Sequence, residues 1–293
     1  MTHPVLPPLP PLVSPSMIDP LPEVDSIRRR LLGLSVLGLS SSAVSGLLAA
    51  PATARAADAE AQKLLAASDA VRNPDKPFGL TNTLIEYRNG KQTDSSVLSV
   101  YSKADPRSGQ FRSLLRFVAP ARDEGKLMLK SGNELWFFDP SNKASIRISP
   151  QQRLLGQAAN GDVMTVNLAL DYEASLAGEE EVLDGDRQTR RAVKLLLKAA
   201  SPDVTYDHIE MWLDATSSRP IKSRFFSESD RLLKSAYFRR YATQLGRDRP
   251  TETVIIDGLD PNWVTVMRTS DLAWRDVPDA WLQRDYLPRF KPE

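Results

Sequence analysis

His208 is the side chain in this sequence best suited to acid–base chemistry. Only two histidines occur in 293 residues, and His208 lies on the polar side of a segment in which apolar and polar residues alternate, residues 206–213. A catalytic imidazole needs a nucleophile and an orienting carboxylate, and no recognisable pattern around His208 supplies them. We therefore interpret His208 as a structural histidine.

An acidic run carries the oxygen ligands that calcium prefers. It consists of Glu179, Glu180 and Glu181, followed by Asp184 and Asp186. The spacing matches no calcium loop, and Asp184 is followed by glycine, a dipeptide typical of hairpin turns. We therefore interpret the run as solvated carboxylates near the tip of a hairpin.

Other motifs with a defined chemistry are missing from the sequence. It contains no Gly-rich phosphate loop, no Gly-x-Ser-x-Gly elbow and no His-Glu-x-x-His helix. The absence of cysteine excludes disulfides, thiolate nucleophiles, zinc–thiolate sites and iron–sulfur clusters. A carboxylate pair for glycoside hydrolysis stays open, because such pairs are distant in sequence. We predict a protein that is not an enzyme and holds no cofactor and no metal.

The balance of basic and acidic residues indicates whether nucleic acid is a plausible partner. The chain has 38 basic and 37 acidic residues and a net charge of +1. Nucleic-acid binding depends on a concentrated positive field, so we predict no nucleic-acid partner.

The N-terminal part of the chain is predicted to be an export signal. A proline-rich stretch ends at Asp25, a basic cluster occupies residues 28–30, and residues 31–50 carry no charge. Small residues at Ala54 and Ala56 then provide a cleavage site, and together these features describe a signal peptide. We expect cleavage after Ala56, with Ala54 as the alternative.

This assignment divides the chain into residues 1–56, an extension with a cleaved signal, and residues 57–293, a single domain in the periplasm of a Gram-negative envelope. An uncleaved membrane anchor is the alternative, since about 20 apolar residues can span a bilayer. Export by the Sec or the twin-arginine route stays open, as does a start at Met1 or Met17.

The remaining chain is predicted to be mainly antiparallel β. A helix is expected over residues 58–71, where apolar residues recur at helical spacing. From Phe78 onward the period is two, and Asn89 followed by glycine is a strong hairpin signal. About a dozen strands in hairpin order form one curved sheet. Short helices are expected over residues 151–159 and 166–172. With residues 58–71 they would cover the inner face and leave an apolar cavity.

The walls of this cavity are predicted from strand alternation. Trp136 and Phe138 share one face of their strand, and Leu135 and Phe137 share the other, so both faces must be covered. Only one face of each strand can border the cavity. The predicted lipid-binding residues are Leu115, Phe117, Met128, Leu135, Trp136, Phe137 and Phe138. The predicted lid residues are Leu154, Leu155, Met164 and Leu168.

Residues 115–175 resemble a known family. The similar motifs are LRFVAP at 115–120, GKLMLK at 125–130, NELWFFDP at 133–140, RIS at 147–149 and DY at 171–172. In this order they resemble the outer-membrane lipoprotein-sorting proteins of the LolA-like superfamily. The resemblance implies an unclosed antiparallel β-barrel with helices covering its concave mouth. It also implies periplasmic handling of acyl chains or lipoproteins. No lid residue is transferred from the family.

The predicted function is that of a periplasmic carrier of lipid or lipoprotein acyl chains, in lipoprotein sorting or lipid transfer. Burial contributes roughly 0.8 kcal/mol per methylene, so one long acyl chain supplies enough affinity without any reactive group. The alternative is a non-catalytic envelope lipid sensor, or an accessory module of a membrane transporter, and an inner-membrane transporter complex is a candidate partner. Cargo and oligomeric state stay open.

Overall fold

The computed structural model describes residues 50–132 and 134–291. Its main element is an antiparallel sheet of 13 strands, so the predicted mainly-β, α+β fold is confirmed. The first part of the chain contains helix α1 (Ala50–Arg72) and strands β1 (Phe78–Arg88), β2 (Lys91–Ala104), β3 (Phe111–Ala119), β4 (Leu127–Ser131), β5 (Glu134–Asp139) and β6 (Ala144–Arg147). A separate small sheet contains β7 (Arg153–Leu155) and β8 (Ala158–Ala159). The main sheet then continues after a one-turn helix α2 (Leu168–Asp171) with β9 (Tyr172–Leu183), β10 (Thr189–Ala199), β11 (His208–Asp214), β12 (Pro220–Phe226), β13 (Leu232–Gln244), β14 (Arg247–Asp257) and β15 (Trp263–Trp274).

Strands that are consecutive in the sequence pair with each other from β1 to β6 and from β9 to β15. The first and last strands, β1 and β15, also pair, in a register that runs from Phe78 opposite Trp274 to Arg88 opposite Trp263. This pairing joins two meanders into one sheet, whose edges are β6 and β9. Because β6 and β9 do not pair, the barrel is unclosed, as predicted.

Hairpin chemistry explains the local turns. Asn89 and Gly90 both adopt positive φ, 48° and 76°. A two-residue hairpin turn of this kind requires positive φ at both positions.

Residues 148–171, which we call the covering segment, connect the two edges of the sheet. The predicted helix over residues 151–159 is wrong, because this stretch forms the β7–β8 hairpin. A 3₁₀ turn follows at Asn160–Val163, and the helix predicted over 166–172 is reduced to α2. A short helix gains little from its own hydrogen bonds, so contacts with the sheet decide the conformation here. Gly156, with φ at 53°, forms the turn between β7 and β8.

One face of the sheet, the inner face, is covered by α1 and the covering segment. α1 includes the predicted helix of residues 58–71 and buries Ala61 and Leu65 against apolar side chains of β9, β10 and β11. The Gln62 side chain donates to the carbonyls of Ala169 (2.7 Å) and Tyr172 (3.1 Å). α1 and the end of the covering segment therefore pack together as one layer over the inner face.

The outer face is covered over β3, β4 and β5 by the C-terminal residues. Val277, Trp281 and Leu287 are buried there, and Trp281 packs edge-on against Tyr101 with ring centroids 5.4 Å apart. A 3₁₀ turn at Asp279–Leu282 positions Trp281 and Leu282 in this layer. The apolar side chains Tyr286, Leu287 and Phe290 pack against the same face.

The predicted export signal lies largely outside the described residues, since residues 1–49 are not described. In the part of the chain that is described, no helix combines the length and apolar character needed to cross a membrane.

An ion cluster on β13, β14 and β15 is expected to make stability depend on pH. Glu252 is 1% exposed and accepts hydrogen bonds from Arg239 (2.6 Å) and Arg268 (2.8 Å), with Arg240 at 3.1 Å. Burial alone would raise the pKa of Glu252, but the hydrogen bonds and positive charges of these arginines outweigh burial and hold that pKa below its usual value. A carboxyl with a lowered folded-state pKa stabilises the fold at neutral pH and loses this effect as the pH falls below the ordinary glutamate pKa of about 4.3.

We therefore expect Glu252→Gln to lower the free energy of unfolding by about 3 kcal/mol at neutral pH, since removing one partner of a buried ion pair is costly. Urea unfolding at neutral pH and near pH 3 checks this expectation. The difference between the variant and the unmodified protein should shrink at the lower pH. An equal difference at both values would contradict it.

Candidate functional site

The candidate site is an internal cavity of about 210 Å³ between the inner face of the sheet and the covering segment. Its lining is mainly apolar. On the sheet side it includes Leu80, Val100, Ile209, Met211, Phe225 and Ile255. On the other side the covering segment contributes Val163, Met164, Val166 and Leu168. Pockets for drug-sized ligands enclose roughly 300–1,000 Å³, so in this conformation the cavity is smaller than a long acyl chain requires.

Two small side chains create space at the wall of the cavity. Ser223 on β12 lies directly opposite Ala236 on β13, and both are almost fully buried and line the cavity. Their larger neighbours along the same strands, Phe225 and Phe238, also line it. The hollow therefore follows from an inward-facing pair with little side-chain volume.

A second cavity of about 610 Å³, which we call the vestibule, lies beside the first. It is lined by the C-terminal end of α1, the loop before β3, the α2 region and residues 245–249. Asn73, Pro74 and Arg249 line both spaces. Leu170 and Trp274, both at the vestibule, expose 50% and 43% of their surface. The vestibule is therefore an apolar-edged approach to the internal cavity.

One buried ion pair links the covering segment to the sheet. The Lys234 ammonium on β13 contacts the Asp162 carboxylate and donates to the carbonyl oxygen of Gln157 (2.9 Å). The Tyr206 hydroxyl donates to the other oxygen of Asp162 (2.7 Å). Burial lowers the pKa of Lys234, while the neighbouring carboxylate of Asp162 acts in the opposite direction. Both charges line the cavity, so they place a buried ion pair in a wall that is mainly apolar.

The tip of the β7–β8 hairpin fits closely against the sheet. The Gln157 amide donates to the hydroxyl oxygen of Thr265 (2.7 Å), which is fully buried on β15. A Cβ atom at Gly156 would lie 2.2 Å from the same oxygen. Glycine is therefore required here both for its positive φ and for space.

The structure separates the seven predicted lipid-binding residues into two groups. Leu115, Phe117, Met128, Leu135 and Phe137 lie on the inner face. They pack with Leu154, Leu155 and Val163 of the covering segment in a filled cluster and do not line the internal cavity. Their contact with lipid stays a prediction that depends on displacement of the covering segment.

Trp136 and Phe138 lie on the outer face, which corrects their placement at the cavity. Phe138 packs in the cluster that contains Val277, Trp281 and Leu287, and Trp136 packs against this cluster. Their alternation with Leu135 and Phe137 was evident from sequence, but the C-terminal residues that cover the outer face were not. Two covered faces, rather than one cavity wall, explain the apolar residues on both sides of β5.

Of the predicted lid residues, Met164 and Leu168 line the cavity. Leu154 and Leu155 lie on β7 and pack against the inner-face cluster instead. All four belong to the covering segment, although the predicted helices do not carry the first two.

The site residues that sequence reasoning missed are Lys234, Asp162 and Arg249. The available signal was the alternation of β13, in which Lys234 shares a face with Ala236 and Phe238. A lysine on an apolar face is rarely buried unless it is paired, and this position therefore indicates a buried partner. Sequence does not indicate that the partner is Asp162.

The polar residues considered for catalysis or for calcium binding have local partners. His208 stacks on Phe226 with centroids 4.7 Å apart, and its Nδ1 lies 2.9 Å from Asp207. Glu179 pairs with Arg191, and Asp184 accepts hydrogen bonds within its own turn. Within residues 50–132 and 134–291, acidic and histidine side chains form no group that could hold a metal ion.

Comparison with known proteins places this architecture in a family. A family model described as an uncharacterized protein matches residues 109–289, while a search of curated proteins found no match. Three crystal structures share the fold. A LolA superfamily protein from Nitrosomonas europaea is 32% identical, with 77% of this chain and 98% of that chain covered and a TM-score of 0.69. A putative outer membrane lipoprotein-sorting protein domain from Vibrio parahaemolyticus is 18% identical, with 79% and 100% covered and a TM-score of 0.67. A DUF1329 family protein from Desulfovibrio piger is 21% identical, with 79% and 99% covered and a TM-score of 0.67. With its unclosed sheet, its covered inner face and this level of identity, the chain belongs to the LolA superfamily.

Proposed function

We propose that this protein is a periplasmic carrier that holds acyl chains of a lipid or lipoprotein in its internal cavity. The observation that carries the proposal is a mainly apolar cavity that lies between the sheet and a segment with little regular secondary structure. An enclosed apolar space binds aliphatic chains by removing them from water and needs no reactive group.

Loading requires the covering segment to move. The cavity of about 210 Å³ is partly filled by Met164 and Leu168, and the adjoining inner-face cluster is closed by Leu154 and Leu155. Displacing these side chains would open a continuous apolar surface. Burial of a sixteen-carbon chain contributes on the order of 10 kcal/mol, which would offset part of the cost of displacing the covering segment. Cargo would then take the place of the covering segment against the sheet.

Family membership and the predicted export signal support a location in the periplasm. The related domain from Vibrio parahaemolyticus is described as lipoprotein-sorting, and the proposal extends a similar role to this chain. A function without catalysis is supported by the local partners of His208 and of the acidic run.

The test begins with the full chain expressed with its own N-terminal segment and purified from the periplasmic fraction. Native mass spectrometry should show a mature protein that begins at residue 57 and carries co-purifying lipid. Delipidated protein should then bind a fluorescent acyl probe saturably, and unlabelled fatty acid should compete. Protein that carries no lipid and binds no probe would overturn the proposal.

A further inference from the structure

We propose that the mouth of the cavity is a binding site for the anionic headgroup of the cargo, formed by Arg249, Arg72 and Gln244, so that this carrier prefers acyl chains with a carboxylate or phosphate head. This inference rests on the proposed carrier function and adds the chemical class of the cargo. It is carried by a buried cation without a carboxylate partner and by two unpaired polar atoms beside it.

Arg249 is the central residue of this site. It lies on β14, is 4% exposed, and lines both the cavity and the vestibule. Its guanidinium donates to the backbone carbonyls of Val71 (2.7 Å) and Gln244 (3.2 Å). These two bonds use Nε and Nη1, so Nη2 remains to donate, and among the described residues no carboxylate lies within ion-pair distance of the guanidinium. A buried guanidinium with two carbonyl partners retains donors that suit a carboxylate or phosphate.

Two further polar atoms at the cavity lack partners within the described chain. They are Nε of Arg72 and Oε1 of Gln244, and both are buried. The other end of the Arg72 guanidinium pairs with Asp69. A buried polar atom without a hydrogen bond is destabilising, and such atoms in a native structure call for a ligand or water. An anion beside Arg249 would accept a hydrogen bond from Arg72 Nε, and rotation of the Gln244 amide would present a second donor.

The surrounding charge favours an anion. The vestibule contains more basic than acidic side chains, namely Lys76, Arg247 and Arg249 against Asp69 and Asp75. Asp69 is already engaged by Arg72 and by the backbone amide of Ala169 (2.8 Å). Asp171 lines the cavity and accepts a hydrogen bond from Gln110 (2.9 Å). The helix dipole of α1 places partial negative charge near Val71, and the hydrogen bond from Arg249 offsets this charge.

The arrangement of the two spaces matches an amphiphile. The cavity is apolar and receives the chain, while Arg249 marks the boundary with the wider vestibule, which has room for a headgroup. A neutral headgroup at this boundary could accept a hydrogen bond from the guanidinium but would bring no negative charge to pair with it, and charge-assisted hydrogen bonds are the stronger kind. The cavity therefore distinguishes cargo by the charge of its head.

The test compares ligands that share one tail. Delipidated full-chain mature protein is titrated with dodecyl phosphate, laurate and dodecanol, each below its micelle concentration, by competition with a fluorescent acyl probe. We expect both anionic ligands to bind at least tenfold more tightly than dodecanol. Inorganic phosphate alone should not compete at millimolar concentration, since it lacks the tail.

Variants separate the headgroup site from the cavity. Arg249→Gln should reduce the ratio of anionic to neutral affinity to near one, chiefly by weakening the binding of dodecyl phosphate and laurate. Arg122→Gln is the matched control, because Arg122 is an exposed arginine that follows β3, at the end of this strand opposite the vestibule. It should leave the ratio unchanged. If Arg249→Gln does not fold, the headgroup site is tested instead by the ratio of anionic to neutral affinity, measured in Gln244→Met and in the unmodified protein.

The outcomes distinguish the two proposals. Equal affinity of the unmodified protein for all three ligands overturns the headgroup site and leaves the carrier intact. Competition by inorganic phosphate as strong as that by dodecyl phosphate also overturns it, since the site would then bind free anions. Failure of every ligand and of the probe to bind overturns the carrier function itself.

Discussion

Ser223→Phe is expected to weaken binding of a fluorescent acyl probe at least tenfold. Ser223 is 2% exposed and faces Ala236 across the wall of the cavity. A phenyl ring at this position would project into a space of about 210 Å³ and occupy the volume that the acyl chain needs. Overpacking costs typically 1–3 kcal/mol, so the fold should persist with a lower melting temperature. Probe titration together with circular dichroism checks both expectations.

The matched control is Ser235→Phe on the same sheet. Ser235 is the neighbour of Ala236 on β13 and points to the outer face, so the added ring lies outside the cavity. This variant should bind the probe as the unmodified protein does. Equal affinity of folded Ser223→Phe and unmodified protein would contradict the assignment of this cavity as the acyl site.

Asp162→Ala is expected to lower the free energy of unfolding by about 3–5 kcal/mol, the range for breaking a buried ion pair by removing one partner. The Lys234 side chain is 5% exposed and would be left without its carboxylate. The Tyr206 hydroxyl and the Ala159 amide would lose their acceptor as well. Urea unfolding measures the loss, and hydrogen exchange over residues 153–164 should show faster opening of the covering segment.

The loss of stability in Asp162→Ala is compared with the loss in a control variant that removes an exposed carboxylate. Asp279 is 66% exposed and contacts Lys103 and Arg112, and exposed pairs contribute about 0–1 kcal/mol. Asp279→Ala should therefore have little effect. A loss in Asp162→Ala no larger than that in Asp279→Ala would show that the buried pair does not hold the covering segment in place.

The same variant has a pH dependence with a definite sign. Burial already lowers the pKa of Lys234, and removal of Asp162 takes away the group that opposes this shift. A lysine with a lowered folded-state pKa binds fewer protons in the folded than in the unfolded chain. The stability of Asp162→Ala should therefore rise as the pH increases from this lowered pKa toward the ordinary lysine value of about 10.4. Urea unfolding across that interval measures the slope.

The candidate site was only partly predictable from the sequence. Met164 and Leu168, two of the predicted lid residues, line the cavity, and their role as a lid stays a prediction. The wall residues were chosen from β3, β4 and β5, where the motifs are strongest, whereas the cavity lies over β1, β2 and β11 to β15. The pairing of β1 with β15 brings these strands together, and no local pattern reports contact between the two ends of a domain.

The conformation of residues 151–159 shows the same limit. Leu154 and Leu155 fit a helix or a strand equally well, because short apolar runs do not distinguish the two. The hairpin is selected by Thr265 and Lys234, which bond to Gln157 from positions 108 and 77 residues away. The intrinsic helix propensity of these residues contributes less free energy than such buried contacts do.

The local features of this protein could be predicted from short stretches of its sequence. Alternating strands, hairpin dipeptides such as Asn89-Gly90 and the helical spacing of residues 58–71 depend on neighbours a few positions apart. Tertiary structure alone decided which face of each strand encloses the cavity, which residues cover the outer face, and that Lys234 meets Asp162. These features depend on burial and pairing between segments that are distant in sequence. Such contacts contribute free energy only after the sheet has brought the segments together.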